Sequence, residues 1–488
     1  MGISVAPAIS SLLMFDDRRW SITEGKFLMK SLHSHSNSPR AALKSSAALA
    51  RLWRSNPCHN RGFAARPLTA YALSALAAIS LYATDKAQAQ VWTETQQWNQ
   101  DWEDRYAAWV ETDVNEDIFT KGRWAGLSHD CADAAYYARA IFAYENKLPF
   151  AMRDPSGGSQ LITNRMTRFN GQAEDRRVRS FLSLLGDLSS TKTIGQDTYP
   201  VRVDREFVRP GGVWARPTLM DRSFWNILSG SAGTELPGHA EIIKQITAEG
   251  VIWKLESTVP RAVRDLNLTS NMWFLPENHQ TGLRKWLTPE QYSRPFASLP
   301  GYSLEQFKEL GTTQAQSSHN DSSPSTGSGQ RTLDQFKSDL ATRLAHNGAQ
   351  ESAEGFYRRN AKSLCGSLRV RAEAVSRALA YKQRIGGRCM NPSEYDQHST
   401  PSRDRRAREL LAETAKRAST FGFFTDGALR EILPYLDAEC PGIEIAPGRH
   451  MRLSEWAVAA KNNQLSSDPN QSLEARWGMA AADSRCSP

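Results

Sequence analysis

The sequence predicts an α+β domain followed by a mostly helical region, and three observations carry this. The stretch "SHDCADAAYYARAIFAYENKLPF", from Ser128, has helical apolar spacing to about Asn146 and stops before Pro149. "HAEIIKQITAEGVIWKLEST", from His239, alternates as two strands around a tight turn. From Arg331 to about Arg417 the pattern is helical and charged. A helix followed later by antiparallel strands is the order of an α+β domain.

The 488 residues are enough for two or three domains, and the first segment does not read as one of them. Residues 1–60 are rich in Ser and Arg and hold no sustained period. Arg61 and Arg66 then precede an apolar run, Leu68–Ala83, and Ala87-Gln88-Ala89 supplies a small-x-small cleavage pattern. That is the layout of a secretory signal, with an apolar run short for a membrane span. Residues 1–89 are therefore expected to be a leader. The mature chain would begin near Gln90, in the periplasm or outside the cell, with no stable membrane span. The formal charge of +8 belongs mostly to this leader, where 11 Lys/Arg meet 4 Asp/Glu. A remainder near neutrality carries no nucleic-acid footprint.

The mature chain opens with "VWTETQQWNQDWEDRYAAWVE", in which Trp98, Trp102, Tyr106 and Trp109 form a helical stripe. Such a stripe is expected to pack on the domain behind it. The Cys131 segment follows as an amphipathic helix, then a helix over residues 171–187. "TYPVRVDREFVRPGGVWARP" reads as strand, turn, strand, broken at Pro210-Gly211-Gly212. The His239 hairpin completes a domain over residues 90–311. Thr312–Gln330 is a Ser/Gly-rich flexible linker. Residues 331–488 read as a separate helical domain, with Thr332 and Gln335 at capping-box spacing and Pro401-Ser402 opening a later helix. The basic run Arg403–Arg408 is expected to be a solvated helix face. Cys365, Cys389, Cys440 and Cys486 are expected to form two disulfides, with three connectivities open. Neither a C-x-x-C nor a His/Cys cluster at zinc spacing is present, so no metal and no other cofactor is expected.

Cys131 is the odd cysteine, in the opening turn of its helix with Ser128 or Asp130 as N-cap. A helix start favours a thiolate through its exposed N–H groups, and a histidine from elsewhere completes a nucleophile. Among the seven histidines after the leader, His239 begins a strand that returns through a tight turn. If the turn centres on Ala248-Glu249, Glu241 faces Glu256 and His239 lies diagonally across from Glu256 on one face. A one-residue change in the loop would separate them. The candidate catalytic set is Cys131, His239 and Glu256. Asp133, His129 and Asp130 are candidates for supporting it.

The order helix-borne Cys, strand-borne His, acid on the next strand resembles the papain-like and transglutaminase-like cysteine hydrolases. "DCADAAYYARAIFAYENKLPF" is similar to the transglutaminase-core pattern, and "DCAD" to the "DCxD" of bacterial transglutaminase-like cysteine peptidases. "RPGGVWARP" followed by "PGHAEII" is similar to the rhythm of NlpC-type cell-wall peptidases, with Gly212 in place of the usual Asp. The long Cys-to-His spacing implies an insertion within residues 153–199, and Glu stands where Asp or Asn is usual. The resemblance implies a papain-like core, Cys131 as nucleophile, His239 as base and Glu256 orienting the ring. It implies thiol-dependent amide cleavage, with peptides or peptidoglycan stem peptides as substrate. Two alternatives stand beside it: a non-catalytic envelope binding or scaffolding protein on the same fold, and transglutaminase-type acyl transfer.

Overall fold

A six-stranded antiparallel sheet organises the molecule. The structure, a computed structural model, describes residues 90–217, 238–272, 274–276, 278–308, 332–420, 422–483 and 486, so the expected leader and linker lie outside the described residues. In chain order the strands are β1 (Ala151–Arg153), β2 (Leu161–Thr163), β3 (Thr198–Pro200), β4 (Val213–Arg216), β5 (His239–Ile246), β6 (Ile252–Glu256), β7 (Asn267–Thr269) and β8 (Gly282–Trp286). The large sheet runs β3-β8-β4-β5-β6-β7, while β1 and β2 pair by themselves. The two strands expected either side of Pro210-Gly211-Gly212 are β3 and β4, and β8 lies between them.

The Cys131 helix, Cys131–Glu145, packs on this sheet. It departs from the amphipathic expectation: Cys131 through Tyr144 are all buried. Its apolar residues, among them Tyr136, Ile141 and Phe142, share a core with Val213, Ala215, Ala240, Ile242 and Leu255 of the sheet. Other sides are covered by helix Glu174–Leu188 and by the aromatic helix Gln100–Thr112. Asn99 caps that second helix by accepting from the Trp102 N–H. Trp98, Trp102, Tyr106 and Trp109 all converge on Phe142, with ring centroids 5.2 to 6.3 Å away. The stripe is structural packing of the kind its period predicts.

The β5–β6 hairpin decides the site. Its turn closes with Thr247 N–H on Val251 O, so three residues, Ala248 to Gly250, form the loop. Gly250 takes φ +81°, where a side chain would be strained and its Cβ would strike the Ala341 carbonyl. The loop is one residue longer than the sequence reading assumed. A bulge between Ile243 and Gln245 absorbs the extra residue, and beyond it Glu241 pairs with Glu256.

The region after residue 331 has a core of its own. Helices Ala353–Arg384, Pro401–Ala418 and Asp426–Glu439 pack around Leu364, Leu368, Leu411, Ile432 and Trp456. Disulfides join Cys365 to Cys440 and Cys389 to Cys486. The region also shares a second core with the sheet, because Phe336, Leu340 and Leu344 of helix Leu333–Leu344 pack with Trp214, Ile243 and Ile252. Among the described residues, no helix is long and apolar enough to cross a membrane.

Candidate active site

Asp130 is the N-cap of the Cys131 helix. Its carboxylate accepts from the N–H groups of Ala132 and Asp133, and Asp133 returns a bond to the Asp130 N–H. The Cys131 N–H is not taken by this cap. Cys131 is the one unpaired cysteine among the described residues and is 7% exposed. It sits outside the apolar cluster that includes Ala132 and Ala134.

The thiol meets His239. The Cys131 side chain is among the partners that raise the His239 pKa, and His239 Nε2 lies 2.7 Å from Glu256 Oε2 and 3.3 Å from Glu241 Oε1. With Nε2 engaged by carboxylates, Nδ1 is the nitrogen left for the thiol. Asn267 on β7 donates to the other Glu256 oxygen at 2.7 Å. Glu241 is fully buried and ion-paired with Lys254, itself fully buried. The sheet register thus brings His239, Glu241, Lys254 and Glu256 into one polar cluster on adjacent strands.

The charges follow from the contacts. Burial alone pulls the His239 pKa down, but bonds to Cys131, Glu241 and Glu256 and the Glu256 charge outweigh it, and the pKa stands well above the ordinary imidazole value. Burial pushes the Glu256 carboxyl up, yet the His239 bond and charge, the Arg406 charge and the Asn267 bond bring it down to about 2. A protonated ring held against a carboxylate is the stable arrangement.

The supporting candidates have other partners. His129 is buried between Ser257 Oγ, 2.9 Å from Nδ1, and Arg264 O, 3.1 Å from Nε2. Burial, opposed in part by the Arg264 carbonyl, lowers its pKa to about 4, so it is neutral at physiological pH and ties segment 257–264 to the start of the Cys131 helix. Asp133 accepts from Ser189 Oγ at 2.5 Å and ion-pairs with Arg261. Burial, against the Ser189 bond, raises its pKa to about 6. Neither side chain touches His239 in these contacts.

Sequence reasoning missed Glu241 as a partner of the ring, Asn267, and Arg406. Glu241 was legible, since it stands two residues from His239 on the same strand face. Arg406 was not. It and Arg403 lie on helix Pro401–Ala418, and Arg403 donates to Thr258 Oγ1 and the Val259 carbonyl, at 3.3 and 2.7 Å. The run expected to be a solvated face is therefore only partly one. Arg405 is exposed, while Arg403 and Arg406 are half-buried.

His239, Glu241 and Glu256 present ligand atoms within 4.8 Å of one another, close enough to be tested as a metal site. Two contacts argue against a resident cation. The Nε2–Oε2 pair is already closed to hydrogen-bond length, and the Lys254 ammonium occupies Glu241. Proton sharing accounts for the arrangement. Comparison of the chain with protein families, curated proteins and solved structures finds no match.

Proposed function

We propose that the protein is a thiol-dependent amide hydrolase on a papain-like core, exported from the cytoplasm. The observation that carries this reading is a single contact chain. The Cys131 thiol, at the start of a capped helix, acts on His239 and raises its pKa, and His239 Nε2 is held by Glu256 at 2.7 Å. Nucleophile, base and orienting group stand in that order.

In this mechanism the Cys131 thiolate attacks the amide carbon, and the negative charge that develops on oxygen is received near the Cys131 N–H at the helix start. Protonated His239 gives its proton to the leaving amine as the carbon–nitrogen bond breaks, which leaves a thioester and a free amine. Water then attacks the thioester while His239 removes its proton. The acid product departs, and the thiolate and imidazolium are restored. Glu256 keeps the imidazolium stable between the two half-reactions and fixes the ring's orientation. The resemblance favours peptides, peptidoglycan stem peptides among them. If an amine replaces water, the same residues perform acyl transfer.

The burial of the pair favours one other reading, a non-catalytic envelope module, because Cys131 is 7% and His239 8% exposed. Alkylation separates the two. Mature protein is treated with iodoacetamide from pH 5 to 8 and the adducts mapped. Rapid modification of Cys131 at pH 6, abolished in His239→Ala, is expected of the hydrolase. Modification no faster than that of a free-thiol peptide refutes it.

A further inference from the structure

Two carboxylates reach one ring nitrogen. His239 Nε2 stands 2.7 Å from Glu256 Oε2 and 3.3 Å from Glu241 Oε1. A single N–H makes one strong bond, so the two acids compete for it. The register creates this competition, because Glu241 pairs across the hairpin with Glu256, and His239 lies on the same strand face as Glu241. The acids differ in their second partners. Asn267 on β7 donates to Glu256 Oε1 at 2.7 Å, which leaves Oε2 to the ring. Glu241 Oε2 is ion-paired with the Lys254 ammonium, and both residues are fully buried. Lys254 also donates to the Asn271 carbonyl, which anchors the ammonium on the side away from His239.

Other charges near the cluster come from the elements around it. On β4, Arg216 stands opposite His239, with its guanidinium 5.8 Å from the Phe274 ring centroid. On helix Pro401–Ala418, Arg406 acts on Glu256. At the start of the Cys131 helix, Asp130 serves as the cap and Asp133 ion-pairs with Arg261. Helix Thr191–Asp197 also meets β5, and its Asp197 is held by Tyr136 and Tyr292. On helix Ala353–Arg384, which packs on β7, Arg359 ion-pairs with Glu351 and Lys362 lies over the Trp253 ring. Lys254 is thus the cation that an ion pair places on Glu241. A buried carboxylate deprived of its cation is strongly disfavoured until another charge reaches it. For Glu241 the next cation is the His239 ring, already 3.3 Å away.

We propose that Lys254 is a positioning residue of the hydrolase: by holding Glu241, it leaves His239 to Glu256 and keeps the ring directed at Cys131. This rests on the hydrolase reading and adds to it a residue that touches neither the thiol nor the substrate. The reaction cycle gives the arrangement its purpose. His239 must give a proton to the leaving amine and later take one from water, so both forms of the ring have to be within reach. One charged acid supports the imidazolium, whereas two would hold the proton too firmly for the first step. Lys254 sets the number at one.

The test is a nitrogen-detected NMR titration of the His239 ring in the protein and in three variants: Lys254→Met, Glu241→Gln, and the two combined. Lys254→Met should move the titration to higher pH by about one unit or more, as the Glu241 charge turns to the ring. Glu241→Gln should move it to lower pH by a similar amount, because the ammonium then stands near the ring without its acid. The double variant removes both charges and should titrate within about half a unit of the parent. That return separates positioning from a structural role, since both Met variants lose the Asn271 bond. A Lys254→Met shift that persists in the double variant overturns the proposal, as does a parent-like titration in both single variants. If Lys254→Met does not fold, the other two variants decide: a downward move in Glu241→Gln that the double variant lacks supports the proposal, and equal titrations overturn it. Iodoacetamide tests the hydrolase separately. Rapid Cys131 modification in the parent leaves the hydrolase standing when the titrations fail, and slow modification overturns it whatever they show.

Discussion

Replacing Glu256 by Gln keeps the shape of the side chain and removes the charge that His239 leans on. Nε2 stands 2.7 Å from the Glu256 oxygen and 3.3 Å from a Glu241 oxygen whose carboxylate is shared with Lys254. Glu256 is therefore the stronger of the two supports. A hydrogen bond to a charged group contributes about 1.5 to 3 kcal/mol. At about 1.4 kcal/mol per pKa unit, its loss should lower the His239 pKa by roughly one to two units. The neutral amide need not disrupt the site, because Asn267 has an oxygen without a donor and a rotation of its amide lets it pair with Gln. The assay is a nitrogen-detected NMR titration of the His239 ring, run beside Cys131 alkylation from pH 5 to 9. The titration should move to lower pH in the variant. Alkylation above the new pKa should slow by roughly ten- to a hundredfold, as the ring no longer holds its positive charge beside the sulfur. A His239 titration within half a unit or so of the parent would refute the argument that Glu256 sets the ring's charge.

Three further outcomes follow from the packing. Gly366 on helix Ala353–Arg384 leaves no room for a Cβ, which would collide with Asn267 Oδ1 and come within 3.2 Å of the Leu268 carbonyl. Gly366→Ala should displace Asn267 from Glu256 and slow Cys131 alkylation severalfold. Gly427→Ala, whose Cβ meets nothing nearer than 3.7 Å, should leave that rate as it was. Replacing Cys365 and Cys440 by Ala opens a loop of 75 residues, and chemical denaturation should show a loss of about 4 kcal/mol. His129, buried and neutral, has a native pKa of about 4 against the ordinary 6.5. As a base whose native pKa is depressed, it takes up protons in the unfolded chain first. Stability should fall as pH drops from 6.5 to 4, by about 3 kcal/mol from this residue alone. Glu256 adds its own loss only below pH 4.5, as pH approaches 2. In His129→Gln the fall between 6.5 and 4 should flatten when urea midpoints are followed against pH.

Local pattern determined much of this protein. Asp130 was one of the two N-caps that the sequence offered for the Cys131 helix, because capping is settled within a few residues. The Trp98–Trp109 stripe foretold packing, and the alternation on either side of Gly250 foretold a hairpin. The strand period put His239, Glu241 and Glu256 on one face. Yet the placement came through two departures that cancel: a loop longer by one residue, and a bulge at Lys244 that returns the register. Lys244 shows why a bulge is favourable there, since its ammonium reaches the Val110 and Val114 carbonyls at the end of the aromatic helix. Only the tertiary structure decided that bond, because its partners are more than a hundred residues away. It also decided the burial of the Cys131 helix on every side, the two disulfide pairings, and the turning of Arg403 toward segment 257–264. An arginine on a helix reads alike in sequence whether it faces water or another element's carbonyl. The difference lies in what packs against it, and no local spacing records that.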